Sequence, residues 1–142
     1  MLRLIIDTSH KYLLVALADN DKLLAYKQEI VSKKQSEYLI PFVNDVFAMT
    51  NYNKNDIEEI IVTDGPGSYT GMRIGLTFVK SIAMLNPEIK VYTINTLLSL
   101  SGKENGFSFI DARSKRVFGA FVKNGIVEHE RIYQIDEIKD MD

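Results

Sequence analysis

The sequence of 142 residues contains no cysteine. That excludes disulfides, thiolate nucleophiles and cysteine-ligated zinc. Histidine is almost as scarce, since His10 and His129 are the only two, too few for a histidine-rich metal site. Neither sign of charge is in excess. The 17 Lys and Arg against 19 Asp and Glu leave a net charge of −2, which gives no bulk attraction to nucleic acid or to an anionic membrane. Long apolar runs are missing too. The opening MLRLIIDTS has one basic residue and reaches an aspartate at position 7, so it reads as a buried strand and not as a signal peptide. No run approaches membrane-spanning length. The expectation is a cytoplasmic protein.

What is present suits a globular domain. Hydrophobic residues make up 46% and charged residues 25%, and the length fits one domain of ordinary size. Basic residues cluster at Lys33-Lys34 and at Arg113-Ser114-Lys115-Arg116. Each cluster reads as solvated surface.

Periodicity orders the chain. Leu2–Ile6 is a short continuous apolar run, the pattern of a central strand. Tyr12–Ala18 is similar, Asp19-Asn20-Asp21 supplies turn residues, and Lys22–Glu29 completes an antiparallel meander. Leu39, Phe42, Val43, Val46 and Phe47 fall at helical spacing and predict a helix over 36–50, with Ser36 as N-cap and Pro41 in the first turn. Glu59–Thr63 reads as a strand, and a second helix spans 70–85 until Asn86-Pro87 ends it. Lys90–Ile94 is strand-like, Thr96–Leu100 a short helix, and Phe107–Asp111 and Arg116–Val122 a further pair of strands. Asn124-Gly125 signals a hairpin into Ile126–Ile132. The closing DEIKDMD carries no core pattern and is expected to fray.

This order implies an α/β protein built on a mixed five-stranded sheet with helices on both faces. Residues 1–104 form an N-terminal lobe, and 105–142 begin a second lobe of β-hairpins. The order matches the ribonuclease H-like unit of actin-type ATPases, sugar kinases and several nucleases, an analogy of fold alone.

Between the fourth strand and its helix lies DGPGSYTGMR, residues 64–73. A P-loop requires glycine where Thr70 stands and a lysine after Gly71, and the dinucleotide pattern G-x-G-x-x-G fails at Thr70 as well. A weaker anion or nucleotide site remains open. Its candidates are Gly67, Ser68 and Thr70 at the helix N-terminus, with Asp7, Thr8 and Ser9. The last three resemble the first phosphate loop of actin-type ATPases. Against it, Asp64 would repel an anion. The competing reading is a tight turn through Pro66, with Thr70 capping the helix.

Helix 70–85 has two apolar stripes, Met72-Leu76-Val79-Ala83 and Ile74-Phe78-Ile82-Leu85. A helix apolar on two sides has two neighbours. Gly71 and Gly75 are one turn apart, so another helix could come close there. The candidate partner interface is therefore Leu39, Phe42, Val43 and Val46 with Gly71, Met72, Gly75, Leu76, Phe78 and Val79. The enzymatic alternative rests on Asp7, Asp64 and Asp111, each ending a predicted strand, with Glu37 as a fourth ligand. Such a set could hold Mg²⁺ for a nuclease or an ATPase. Aspartate is also a common turn former at strand ends. A peptidase reading finds no Ser-His-Asp set that the sequence can place.

Four segments taken together resemble one family. They are IIDTS at 5–9, QSEYLIPFVNDVF at 35–47, GPGSYTGMRIGLTFVKSIA at 65–83 and IDARSKRVFGAFV at 110–122. In order and spacing they are similar to the TsaB (YeaZ) family of bacterial tRNA threonylcarbamoyladenosine synthesis. The resemblance implies the actin-type ATPase (ASKHA) fold and a subunit without catalytic residues of its own. It implies pairing with TsaD, which transfers the threonylcarbamoyl group to adenosine 37 of tRNA, through the two helices after the meander. It also implies TsaE, an ATPase, as a further partner, homodimers in the absence of TsaD, and contact with tRNA only indirectly. No cofactor is firmly implied, and ATP or ADP with Mg²⁺ enters only at the level of the complex. Two departures stand out: Gln35 occupies a place where the family often has histidine, and the second lobe is reduced or truncated. The resemblance leaves open whether Arg73 or Arg113 touches tRNA or a partner.

Overall fold

The computed structural model describes residues 1–139. The meander comes first, as β1 (Leu2–Asp7), β2 (Tyr12–Asp19) and β3 (Lys22–Ile30). Helix α1 (Gln35–Ala48) crosses the sheet to β4 (Ile57–Thr63), and α2 (Tyr69–Leu85) crosses to β5 (Lys90–Ile94). A short α3 (Thr96–Ser101) leads to β6 (Gly106–Asp111), β7 (Arg116–Lys123), β8 (Ile126–Gln134) and a single turn, α4 (Ile135–Ile138). The first sheet has the order β3-β2-β1-β4-β5 and the second β6-β7-β8.

Alternation along the strands decides the core. Leu4, Ile6, Leu13, Val15, Leu17, Ile60 and Val62 share one face and are buried with Leu39, Phe42, Val43 and Val46 of α1 and Val79 of α2. Val46 is 0% exposed and Phe42 2%. Burying each such side chain is worth about 1.5–3 kcal/mol, so this shared layer holds both helices to the sheet. The expectation of helices on both faces is corrected here. Strand β1 pairs antiparallel with β2 and β2 with β3, so β3 runs parallel to β4, which in turn runs parallel to β5. Both crossovers, β3 to β4 and β4 to β5, therefore move the same way across the sheet. Right-handed connections in one direction place their helices on one face. Helix α3 packs on the second sheet instead. The opposite face carries Ile5 between Ala16 and Ile61, flanked by the exposed Tyr26 and Tyr92.

Several ends differ from expectation. Helix α1 begins at Gln35 out of a 3-10 turn at Ser32–Lys34, so Ser36 lies inside the helix and no side chain caps it. Pro41 consequently sits in the second turn. Its missing N–H leaves the Glu37 carbonyl without a helical donor, and the exposure of both residues lets water take that place. Ile135–Ile138 form a turn of helix where fraying is expected, because Glu137 accepts a 2.6 Å hydrogen bond from the Gln134 N–H in a capping box. The remainder of DEIKDMD, residues 140–142, lies outside the described residues. Among the described residues no helix is long and apolar enough to cross a membrane.

Candidate functional site

Strands β1 and β4 are parallel neighbours, so the residues that follow each leave the sheet side by side. Asp7-Thr8-Ser9 thus meets the loop 64–68 and the first turns of α2. Asp7 is 4% exposed. Its Oδ1 accepts hydrogen bonds from the Ser9 N–H at 2.9 Å, the Ser9 hydroxyl at 2.5 Å and the Thr63 hydroxyl at 2.9 Å, and Oδ2 lies 3.0 Å from His10 Nε2. His10 Nδ1 accepts from the Tyr12 N–H at 3.3 Å, so Nε2 carries the proton and donates it to Asp7. Burial pushes the Asp7 carboxyl upward in pKa, but the hydrogen bond from His10 and the bonds from Ser9 outweigh it and hold Asp7 below the usual carboxylate range. A serine–histidine relay needs one ring nitrogen facing the nucleophile. Both nitrogens of His10 are engaged elsewhere.

The same closure runs through the glycines. Thr8, 1% exposed, donates its hydroxyl to the Gly71 carbonyl at 2.6 Å. The Ser68 N–H donates to the Ser9 carbonyl at 2.7 Å, and the Ser68 hydroxyl accepts the Gly71 N–H at 3.1 Å. A Cβ at Gly67 would run into the Ser9 carbonyl oxygen and one at Gly71 into that of Thr8. At Gly75 it would stand 2.5 Å from the Thr8 hydroxyl. The small residues of DGPGSYTGMR therefore seat α2 on the loop after β1.

This geometry sorts the expected site residues. Ser68 is the N-cap of α2, not Thr70, which is exposed. Of the anion candidates, Asp7, Thr8, Ser9 and Ser68 hold one another, and the backbone of Gly67 is packed against Ser9. Gly71 and Gly75 receive Thr8 instead of a foreign helix. The expected metal set does not assemble. Asp64 and Asp111 are exposed, Asp111 Oδ1 accepts the Arg113 N–H at 3.0 Å, Glu37 points outward on α1, and the Asp7 oxygens are already occupied. Among the described residues no three Asp, Glu or His side chains gather to hold a metal ion.

Burial sorts the expected interface residues in the same way. Leu39, Phe42, Val43, Val46 and Val79 are buried against the sheet, and Gly71 and Gly75 under Thr8. Leu76 and Phe78 are half-buried against the same core, and Met72 lies beside Gly65. A regular apolar stripe is the part of a helix most strongly drawn to its own core. The apolar residues left facing outward on the two helices are Tyr38, Ile40, Tyr69, Met84 and Leu85. Except for Leu85, which ends the second stripe, they fall outside the apolar stripes, and that was the available signal.

Above the locked loops a cleft of about 960 Å³ opens between the two sheets. It is lined by Ser9, His10, Lys11 and Tyr12, by Lys33, Gln35, Tyr69 and Thr70, and by Phe109 to Arg113. Gln35 is buried and donates to the His10 carbonyl at 3.0 Å, tying the start of α1 to the β1–β2 turn. Arg73 lies outside this cleft, with its guanidinium 5.5 Å from the centre of the Tyr69 ring.

Comparison with known proteins follows the same lines. Residues 26–125, more than half of the chain, match the family model of TsaD, tRNA N6-adenosine threonylcarbamoyltransferase. The tRNA threonylcarbamoyladenosine biosynthesis protein TsaB of Bacillus subtilis is 32% identical over 132 residues, covering 88% of this chain and 57% of that protein. TsaB of Escherichia coli is 28% identical, covering 93% of this chain and 66% of its own length. The structure of YeaZ from Pseudomonas aeruginosa shares the fold with a TM-score of 0.77 at 24% identity, over 92% of this chain and 66% of YeaZ. The chain thus spans 57–66% of the length of these relatives. Loop, helix and sheet agree with the matches: the chain belongs to the TsaB (YeaZ) family, within the wider group described by the threonylcarbamoyltransferase model.

Proposed function

We propose that this chain is a non-catalytic subunit of the machinery that forms threonylcarbamoyladenosine in tRNA, and that it supports a TsaD-like transferase subunit. The observation that carries the reading is the closed network around Asp7. The carboxylate and hydroxyls that would serve a metal or a phosphate are bonded to their own loops, which leaves the chain to act through its surface. That surface is the outer side of α1 and α2 in lobe 1–104, where Tyr38, Ile40, Met84 and Leu85 stand exposed. Aromatic, Met and aliphatic side chains of this kind form the centres of protein interfaces. A partner held there raises transferase activity only by binding its active form better than the inactive one. The same surface serves homodimers when the transferase subunit is absent, a TsaE-like ATPase joins the pair, and ATP or ADP with Mg²⁺ belongs to the assembled complex. The setting is the cytoplasm, and residues 105–142 begin a second lobe.

Size-exclusion chromatography with light scattering, alone and with the transferase subunit, tests this. Ile40→Asp with Met84→Asp should keep the circular dichroism of the parent and lose co-elution with the transferase. Retained co-elution sinks the helix surface. Modified adenosine formed by this chain without the other subunits would sink the non-catalytic role.

A further inference from the structure

The two basic clusters that read as separate solvated surfaces in sequence reach one place in space. Lys33 lies just after β3, Arg113 lies in the β6–β7 turn, and Lys11 lies in the β1–β2 turn. All three line the cleft between the sheets. Among the described residues none of the three is in an ion pair, whereas Arg3, Lys27, Arg131 and Lys139 are. The carboxylate in the lining is Asp111, with one oxygen already accepting the Arg113 N–H. The cleft therefore has an excess of positive charge although the whole chain is at −2.

Its lining also carries exposed aromatic rings. Tyr69 is 71% exposed and Phe109 51%. The turn that brings Arg113 to the rim holds Arg113, Ser114 and Lys115 in succession at φ of 65°, 55° and 58°. Non-glycine residues avoid this region, and a run of three is strain that a functional surface retains.

We propose that this cleft binds a single-stranded segment of RNA, with unpaired bases against Tyr69 and Phe109 and phosphates on Lys11, Lys33 and Arg113. Stacking rings alternating with cations are the chemistry of single-strand recognition. A free nucleoside triphosphate fits less well. The cations come from three separate turns, suiting charges spaced along a backbone, and the groups that would cradle a compact polyphosphate are engaged with Thr8 and Ser9. At about 960 Å³ the cleft lies at the upper end of small-molecule pockets, which run to roughly 1,000 Å³. The proposal rests on the tRNA-modification reading only for the source of the RNA, and it goes beyond the expectation that tRNA is met through the partner alone.

Fluorescence anisotropy of the full chain with a labelled RNA hairpin bearing an unpaired loop tests it, with a blunt RNA duplex and ATP as competitors. The hairpin should bind about tenfold tighter than the duplex, and ATP should not displace it. Lys33→Glu with Arg113→Glu should weaken binding at least tenfold and flatten the salt dependence, by about 0.7 in slope per lost phosphate contact. Tyr69→Ala with Phe109→Ala should weaken it about tenfold with the slope unchanged. Circular dichroism checks that each variant is folded. Displacement by ATP, equal affinity for duplex, or affinity indifferent to both pairs of substitutions overturns the proposal. Co-elution with the transferase subunit is read on the same variants. A chain that binds the subunit but no RNA, alone or paired, sinks the cleft proposal only. One that binds RNA through Lys33 and Arg113 but not the subunit sinks the partner reading only.

Discussion

Two regions a few residues apart treat polar groups in opposite ways. In the knot between β1 and α2 the polar groups close on one another: Thr8 with Gly71, Ser9 and Thr63 with Asp7, and Ser68 with Ser9. In the cleft above it, Lys11, Lys33 and Arg113 face solvent beside the exposed rings of Tyr69 and Phe109. Both regions contain residues that in sequence suggest a ligand site. The knot has its own chain as ligand, and the cleft keeps its groups unengaged. A suggestive residue is a site only where its bonding capacity is left over.

The largest effect that tests this contrast is steric. Gly71→Ala should gain up to about 1 kcal/mol of helix propensity. The new Cβ meets the backbone oxygen of Thr8, which no rotamer change can move, and overpacking of that kind costs about 1–3 kcal/mol. Urea denaturation should show a net loss near 2 kcal/mol. A neutral or stabilised Gly71→Ala would mean that the knot is looser than its hydrogen bonds imply.

Next in size is an electrostatic effect. Asp7 has a folded pKa below its unfolded value, so its ionised form is preferentially stabilised by the fold. That contribution is complete above the unfolded carboxylate pKa, about 3.9, and is lost as pH falls through the lowered folded value. Asp7→Asn should lose about 1–3 kcal/mol at neutral pH by breaking buried hydrogen bonds. It should also show a shallower decline in stability than the parent under acid. Parallel acid titrations of the two proteins would remove Asp7 as the anchor.

The smallest expected effect lies on the cleft side. Lys33→Glu with Arg113→Glu should leave stability within about 0.5 kcal/mol, because exposed residues outside any ion pair contribute little to folding. A loss comparable to that of Gly71→Ala would place these cations in the structure of the fold and erase the distinction between the two regions.

Much of the fold was legible beforehand. The meander, both long helices and the Asn124-Gly125 hairpin follow from periodicity and turn residues, and the observed bounds shift by only a residue or two. The candidate site was less so. Leu39, Phe42, Val43 and Val46 were recognised as one apolar face, but a period tells that a face is covered and not by what. Their cover is the chain's own sheet. Gly71 and Gly75 were recognised as a place of close approach, and the approaching group proved to be Thr8, 63 residues from Gly71 in sequence. Helices on one face and not two follow from the direction of the crossovers, which depends on the strand order.

Local spacing alone thus set where strands, helices and turns form, and the four motif segments alone identified the family, because both are properties of residues near one another along the chain. Only the tertiary structure decided that Asp7, Thr8 and Ser9 close on the glycine loop and that Lys33 and Arg113, far apart in sequence, share a cleft. Those juxtapositions depend on the path of the chain through the sheet. A parallel pairing of β1 with β4 brings two distant loops together, and no local pattern encodes that meeting.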